Sequence, residues 1–300
     1  MIMEPVKIDL TKYVKTGEGA NGASYNSIND PEEMIKLYFE TYPVSSIEEE
    51  VVAAKKVYDL GIPSPKPGEL ITDGKRVGIR FFRILNKRSF ARAVSDEPER
   101  CEEYAREFAK MCKRLHSVHC PAGEVLSVKK QYKDFLSVDK AFTAEEKDKI
   151  AAFIDAMPDA DTALHGDMHF GNAVTNLPQG APMSDKHDTF FIDLGAFAMG
   201  TPRMDLAMMA LCCIHDDEAF IQENFHFSKA IAEKFWSYFA DEYLFNDDNL
   251  AEKLFGKGKT LKDIENELIP YVGLKTFLIE KYSGIALPNF AQLVRDYILK

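Results

Sequence analysis

No apolar run among the 300 residues approaches the roughly 20 that a membrane-spanning helix needs, which excludes a helical membrane protein. The opening stretch Met1-Ile2-Met3-Glu4-Pro5 has neither the basic region nor the apolar core of a secretory signal, so a soluble chain in the cytoplasm is expected. No C-x-x-C pair occurs, and the five cysteines, Cys101, Cys112, Cys120, Cys212 and Cys213, are odd in number. That argues against a disulfide framework or a zinc site. Cys101 and Cys112 fall on an apolar helical stripe, and Cys212 and Cys213 follow Met208-Met209-Ala210-Leu211, as small buried hydrophobes do. Cations are in the minority, with 37 Lys and Arg against 48 Asp and Glu, and the net charge of −11 argues against sequence-independent nucleic-acid binding. Cationic substrates are compatible with that balance, and so is ordinary surface solubility. There is no internal repeat, low-complexity tract or long linker, and nothing in the sequence specifies an oligomeric state.

What is present is enough apolar residue, 46% of the chain with 28% charged, to bury a sizeable core. At roughly 150 residues each, about two domains are expected. The most informative segments are Leu164-His165-Gly166-Asp167-Met168-His169-Phe170-Gly171-Asn172 and Phe190-Phe191-Ile192-Asp193-Leu194-Gly195. They put a carboxylate, an amide and a second carboxylate on two loops flanking a hairpin, with Val174 and Thr175 on one side and Phe190 to Ile192 on the other. Phosphoryl transfer needs that set, because its chemistry is mostly positioning and charge neutralisation: one group orients the attacking hydroxyl and two oxygen ligands hold Mg²⁺ on the phosphates. Asp167 is the candidate for the first role, Asn172 and Asp193 for the other two. His165 and His169, four apart, could instead be a metallohydrolase pair, but that geometry needs a helix and Gly166 and Gly171 oppose one.

At these residues the chain resembles the aminoglycoside phosphotransferase and choline kinase group, relatives of the protein kinases. The group's catalytic loop H-G-D-x-x-x-x-N and metal loop I-D-x-G both stand intact, and Gly200-Thr201-Pro202-Arg203-Met204-Asp205-Leu206-Ala207 matches its G-x-P-x-x-D-L-A segment. The resemblance implies an α+β, two-lobed protein-kinase-like fold. Residues 1–85 would form an N-lobe with a small antiparallel β-sheet and one helix, and residues 86–300 a larger, mainly helical C-lobe. It also implies ATP, with GTP as the open alternative, together with Mg²⁺ and a small-molecule alcohol acceptor that is aminoglycoside-, choline- or sugar-like. Asp205 would brace the catalytic loop, and His165 would be a structural loop residue tied to nearby backbone or to Asp193.

The N-terminal segment fits that frame. Gly17, Gly19 and Gly22 satisfy G-x-G-x-x-G, but the polar, turn-rich stretch after them lacks the helix that a dinucleotide fingerprint must open into. A kinase-type phosphate loop turns back into a strand instead, and Met34 to Tyr38 supplies a strand bearing Lys36. The next helix, expected from the capping box Ser46-Ile47-Glu48-Glu49 to a stop at Gly61, has the apolar stripe Ile47, Val51, Ala54 and Tyr58. Glu50 lies on its inward face, where a carboxylate needs a cation, and Lys36 is the candidate. Strands 69–72 and 75–83 should form a hairpin around Asp73-Gly74. By the resemblance, the exit through Phe82 and Ile84 is the hinge whose backbone meets the nucleotide base, with Arg83 standing where relatives often carry an acid.

From residue 96 the pattern is helical, with helices expected over 96–118, 143–157, 203–215, 228–243, around 260–283 and 289–299. Asp216-Asp217-Glu218 is a candidate cation-binding wall for the acceptor, against the reading that acids simply favour the start of a helix near Ala219. Two other classes stay open: a catalytically silent nucleotide-binding module, and a protein kinase, which the absence of an A-P-E segment after Asp193 disfavours.

Overall fold

The computed structural model describes residues 4–19, 21–246, 249–283 and 290–299. Met1 to Met3 of the opening stretch, Ala20 of the glycine loop and Asn289 of the last expected helix lie outside the described residues. The chain divides into two compact units, residues 1–88 with 174–195, and residues 89–173 with 196–300. In chain order the elements are β1 (Val6–Lys7), β2 (Tyr13–Glu18), β3 (Gly22–Ser27), β4 (Glu33–Tyr38), α1 (Val44–Asp59), β5 (Pro67–Thr72), β6 (Val77–Phe82), β7 (Arg88–Ser89), α2 (Phe90–Asp96), α3 (Cys101–His116), α4 (Val128–Val138) and α5 (Ala144–Ala156). They continue as β8 (Ala163–Leu164), β9 (Ala173–Thr175), β10 (Thr189–Phe191), β11 (Ala198–Met199), α6 (Arg203–Ala210), α7 (Glu218–Phe225), α8 (Lys229–Ala240), α9 (Leu250–Phe255), α10 (Leu261–Ser283) and α11 (Phe290–Ile298). Among the described residues no helix is long and apolar enough to cross a membrane.

The first unit is built on a six-stranded sheet in the order β1-β5-β6-β4-β3-β2. It is antiparallel except at one edge, where β1 runs parallel to β5 with Val6 opposite Ile71. No hairpin joins those two strands; the long excursion between them is what allows the parallel pairing. Strand alternation divides β4 between two cores: Ile35 and Leu37 pack with Ala23, Tyr25 and Ile71, whereas Tyr38 packs with Ile47 and Val51 of α1. Lys36 therefore leaves the sheet on the α1 side.

Two boundaries differ from the sequence expectation. α1 begins at Val44, directly after Pro43, and the Ser46 capping box does not form, because the Ser46 N–H already donates to the Pro43 carbonyl within the first turn (3.1 Å). The last buried position of its stripe is Val57, not Tyr58, which is 43% exposed. The expected hairpin around Asp73-Gly74 is present, but β6 starts at Val77. The Asp73 carboxylate captures the Lys75 and Arg76 N–H groups at 2.9 and 2.8 Å and so keeps both residues in the turn.

The second unit is helical. The expected helix over 96–118 is interrupted, since α2 ends at Asp96, Pro98 opens a short 3₁₀ turn and α3 starts at Cys101. One face of α3 is buried, and its Phe108 meets Phe235 and Phe239 of α8 at ring separations of 6.0 and 5.8 Å. The capping box of α5 forms as expected, with reciprocal bonds between Thr143 and Glu146 of 3.2 and 2.9 Å. α6 and α8 each run on into a π-helical turn, over Leu211–His215 and Asp241–Phe245. All five cysteines are free thiols, and all are buried. β8 pairs antiparallel with β11, and the chain leaving β8 forms the loop that carries His165 to Asn172.

Candidate functional site

In the first unit Lys36 meets two carboxylates. Its Nζ lies 3.0 Å from Glu50 Oε1 and 3.2 Å from Asp193 Oδ1. Glu50 can reach it because it stands three residues after Ile47 and four before Ala54, on the buried face of α1. Asp193 follows β10 with φ of 58°, a left-handed conformation that Asp tolerates better than most residues. Burial acts to lower the pKa of Lys36, but the charge of Asp193, followed by that of Glu50, more than offsets it and holds the ammonium above its ordinary value. The Tyr38 ring lies 4.8 Å below the same ammonium, and its hydroxyl is pushed well up, first by burial and then by Glu50.

Two cavities meet at this cluster. One, of about 170 Å³, is lined by Ser24, Met34, Lys36, Glu50, Ala54, Ser64, Pro65, Phe81, Lys87, Ile192, Asp193 and Leu194. The other, of about 200 Å³, is lined by Gly19, Asn21, Gly22, Ser24, Lys36 and Asp193. The three glycines of the loop are not equivalent. A side chain at Gly22 would come within 2.3 Å of the Leu37 carbonyl, so glycine is required there by the close approach of β3 to β4. Gly17 and Gly19 face open space, and Gly17 lines neither cavity. Of the two hinge residues, Ile84 is buried, while Phe82 is 52% exposed and its N–H donates to the Lys66 carbonyl (2.9 Å). Neither lines either of these two cavities; Phe81 and Lys87 line the first. Sequence reasoning missed Met34 and Phe81, although Met34 is two residues before Lys36 and therefore on the same strand face.

In the second unit the loop after β8 is irregular rather than helical, and it is held by hydrogen bonds from several directions. The fully buried Asp205 of α6 accepts the His165 N–H on Oδ2 (2.7 Å) and the Gly166 N–H on Oδ1 (3.0 Å). His116 Nε2 lies 3.1 Å from Asp205 Oδ2, and its Nδ1 is 2.6 Å from the Tyr243 hydroxyl. Despite burial, His116 and then Lys275 keep the Asp205 carboxyl below its ordinary pKa. Gly166 has φ of 85°, and a Cβ there would lie 2.0 Å from the Ala196 carbonyl oxygen, so only glycine fits. Asp167 follows, half-buried, its N–H donating to His165 Nδ1 (3.3 Å). Asn172 Nδ2 donates to the Asp167 carbonyl and to Oδ2, both at 3.0 Å. His169 Nε2 is 3.7 Å from the same Oδ2. Burial opposes ionisation of Asp167, but His169, then His165 and Lys275, hold its carboxyl well below the usual carboxylate range.

The three acids at 216–218 have different surroundings. Asp217 caps α7 by accepting the Phe220 N–H (2.8 Å), and Glu218 accepts the Lys229 N–H (2.8 Å) and the Gln222 amide (3.3 Å). Asp216 precedes the cap; burial, with Asp217 adding to it and Lys229 opposing it, pushes its carboxyl up to about 7. Lys275 of α10 is a residue that sequence reasoning did not single out. It is 1% exposed and its ammonium donates to the Gly166 carbonyl. A single charge inside the apolar run from Tyr271 to Phe277 was the signal available.

The sheet unit holds the Lys36–Glu50 pair and the helical unit the braced H-G-D-x-x-x-x-N loop, on a protein-kinase-like fold. The profile of the phosphotransferase enzyme family matches residues 28–235, and the chain belongs to that family. No curated protein matches the chain. Among solved structures it is similar to aminoglycoside phosphotransferase APH(3'')-Id from Streptomyces rimosus in complex with ADP and streptomycin, at 16% identity and a TM-score of 0.51, covering 89% of this chain and 98% of that one. It is also similar to a thermostable mutant of aminoglycoside phosphotransferase APH(4)-Ia in complex with ADP and hygromycin B, at 10% identity and a TM-score of 0.55, covering 94% and 93%. A putative fructosamine-3-kinase from Haemophilus somnus is a third, at 10% identity and a TM-score of 0.55, covering 96% and 91%. At these identities the likeness concerns the fold.

Proposed function

We propose that the chain transfers the γ-phosphoryl group of a magnesium-bound nucleoside triphosphate, ATP before GTP, to a hydroxyl of a small molecule. The observation that carries this reading is the Lys36, Glu50 and Asp193 cluster at the wall shared by two cavities. A half-buried ammonium flanked by two carboxylates remains charged, and a charged Lys36 can hold α- and β-phosphates while Glu50 fixes its direction. Gly19 and Gly22 line the second cavity, where backbone can approach phosphate closely. The hinge around Phe82 and Ile84 would meet the base.

Asp193 and Asn172 are the residues that would hold Mg²⁺. Their donor set fits that ion, since a carboxylate and an amide oxygen are hard ligands, and an amide whose nitrogen is bonded to Asp167 presents its oxygen to anything else it binds. Bound there, the ion supplies charge neutralisation on the phosphates. Asp167 would accept or align the proton of the acceptor hydroxyl; a carboxyl held below its usual range stays ionised at neutral pH, which favours aligning the hydroxyl through a hydrogen bond over taking its proton outright. Asp205 keeps the backbone of residues 165–166 in place while this happens.

For the acceptor we propose an alcohol bearing a cation, read by Asp216. The oxygens of Asp217 and Glu218 are spent on α7 and its junction with α8, whereas Asp216 lies within electrostatic reach of His169 beside Asp167. The relatives named above include structures with streptomycin and hygromycin B bound. The test is a panel of aminoglycosides, choline-like amines, amino sugars and neutral sugars, read as acceptor-dependent ADP release with phosphorus NMR of the product. Transfer to a cationic alcohol is the expected result; a best acceptor that is a neutral sugar would remove Asp216 from the reading.

A further inference from the structure

Lys275 is 1% exposed, on a stretch of α10 where Val272, Leu274 and Phe277 are buried too. Burying an ammonium costs several kcal/mol unless it is paired and hydrogen-bonded. Salt-bridge packing would need a carboxylate in contact, yet the hydrogen bond this ammonium makes is to a backbone carbonyl, that of Gly166, the residue immediately before Asp167. The carboxylates of Asp205 and Asp167 add favourable charge at longer range.

The peptide at Gly166 is thereby fixed from three sides. Its N–H is bonded to Asp205 Oδ1 (3.0 Å), its Cα lies against the Ala196 carbonyl with no room for a methyl group, and its own carbonyl receives Lys275. The first two contacts leave rotation of the 166–167 peptide plane, which swings the Asp167 Cα–Cβ bond; the two polar groups of that plane are held one each, the Asp167 N–H by His165 Nδ1 at 3.3 Å and the Gly166 carbonyl by the Lys275 ammonium. Asn172 bonds to the Asp167 carbonyl and carboxylate, beyond this peptide plane.

We propose that Lys275 is a positioning residue for phosphoryl transfer, its buried ammonium locking the Gly166–Asp167 peptide in the orientation from which Asp167 addresses the acceptor hydroxyl. This rests on the role proposed above for Asp167. A misorientation of a reacting group by about 1 Å can cost about a hundredfold in rate, so fixing this peptide has a return in catalysis.

The test compares Lys275→Met and Lys275→Gln with wild type in the full chain. Lys275→Met leaves the Gly166 carbonyl unpaired and removes a cation near Asp205 and Asp167, so it is expected to melt below wild type while remaining folded. Its kcat with MgATP and the best acceptor of the panel is expected to fall about tenfold or more with nucleotide KM within about twofold, a split that a purely structural lysine would not produce. Deuterium exchange of the amides between residues 164 and 172 should become faster while α3 is unchanged, and this measurement needs no acceptor. Lys275→Gln keeps a donor of shorter reach and should fall between the two, with loop exchange still faster than wild type; if Lys275→Met does not fold, this variant decides. Wild-type loop exchange and kcat in the folded variant would overturn the proposal. Asp167→Asn, measured in parallel, separates the two claims: full turnover there removes the role of Asp167, while the loop exchange still decides for Lys275.

Discussion

The two units hold their key carboxylates by opposite means. In the first, Glu50 and Asp193 are held by charge, on either side of one ammonium, and that ammonium and Glu50 sit on regular elements whose periods aim them. In the second, Asp167 stands on an irregular loop held through its backbone, by Asp205, Lys275 and the tight fit of Gly166. The difference would suit the two tasks proposed above. Phosphate binding tolerates a side chain on a flexible stem so long as its charge is secured, whereas a residue that addresses a hydroxyl needs orientation. Charge neutralisation should therefore act on the first unit mainly through nucleotide binding, and on the second through turnover.

The largest effect is expected at Asp167. Asp167→Asn should lower kcat by about 10²–10⁴-fold with nucleotide affinity within a few fold, as steady-state kinetics and calorimetry would register. Comparable turnover would remove the distinction between the units. Next is Asp193→Asn, which removes a charged oxygen ligand and should weaken MgATP binding by about tenfold or more, or about 1.4 kcal/mol, and reduce turnover with it. Unchanged Mg²⁺ dependence would mean that the ligand is another residue.

Smaller again is the coupling between Lys36 and Glu50. Lys36→Ala should reduce both affinity and turnover, and Glu50→Ala should reproduce part of that loss. A double-mutant cycle should return about 0.5–3 kcal/mol of coupling. Full additivity would place Glu50 outside the site despite its 3.0 Å contact.

The smallest effect concerns Asp216, whose carboxyl is pushed up to about 7 by burial. A carboxyl raised above its unfolded value is neutral in the folded state below about 7, and its contribution to stability is present at low pH and declines as pH rises through that range. Asp216→Asn should therefore melt higher than wild type at pH about 8 and equally at pH about 4, in a thermal scan. If Asp216 reads a cation, the KM of a cationic acceptor should fall as pH rises through about 7 in wild type and not in the variant.

How much of this was legible beforehand follows the same division. Lys36 and Glu50 could be paired from sequence because a strand period of two and a helix period of 3.6 set their faces locally. The last buried position of the α1 stripe differs by one residue, Val57 instead of Tyr58, and its cap by three, since Pro43 and not Ser46 sets the first turn. The parallel edge strand β1 could not be read, because it depends on a partner far along the chain. For the catalytic loop the motif gave the residues but not their restraint. That comes from Asp205, His116 and Lys275, three elements distant in sequence, and only Asp205 carried a motif of its own. Gly22 is instructive in another way: its place in the glycine pattern suggested phosphate, and its backbone is also needed for the β3–β4 approach.

The most direct test of the division is a single-turnover measurement of phosphoryl transfer from MgATP to the best acceptor, wild type beside Asp167→Asn, each at saturating nucleotide. The expected result is rapid, Mg²⁺-dependent formation of phosphorylated acceptor in wild type, and a variant that binds the nucleotide equally well and forms product at least about a hundredfold more slowly. Equal rates of transfer in the two proteins, or nucleotide binding lost with Asp167, would contradict it.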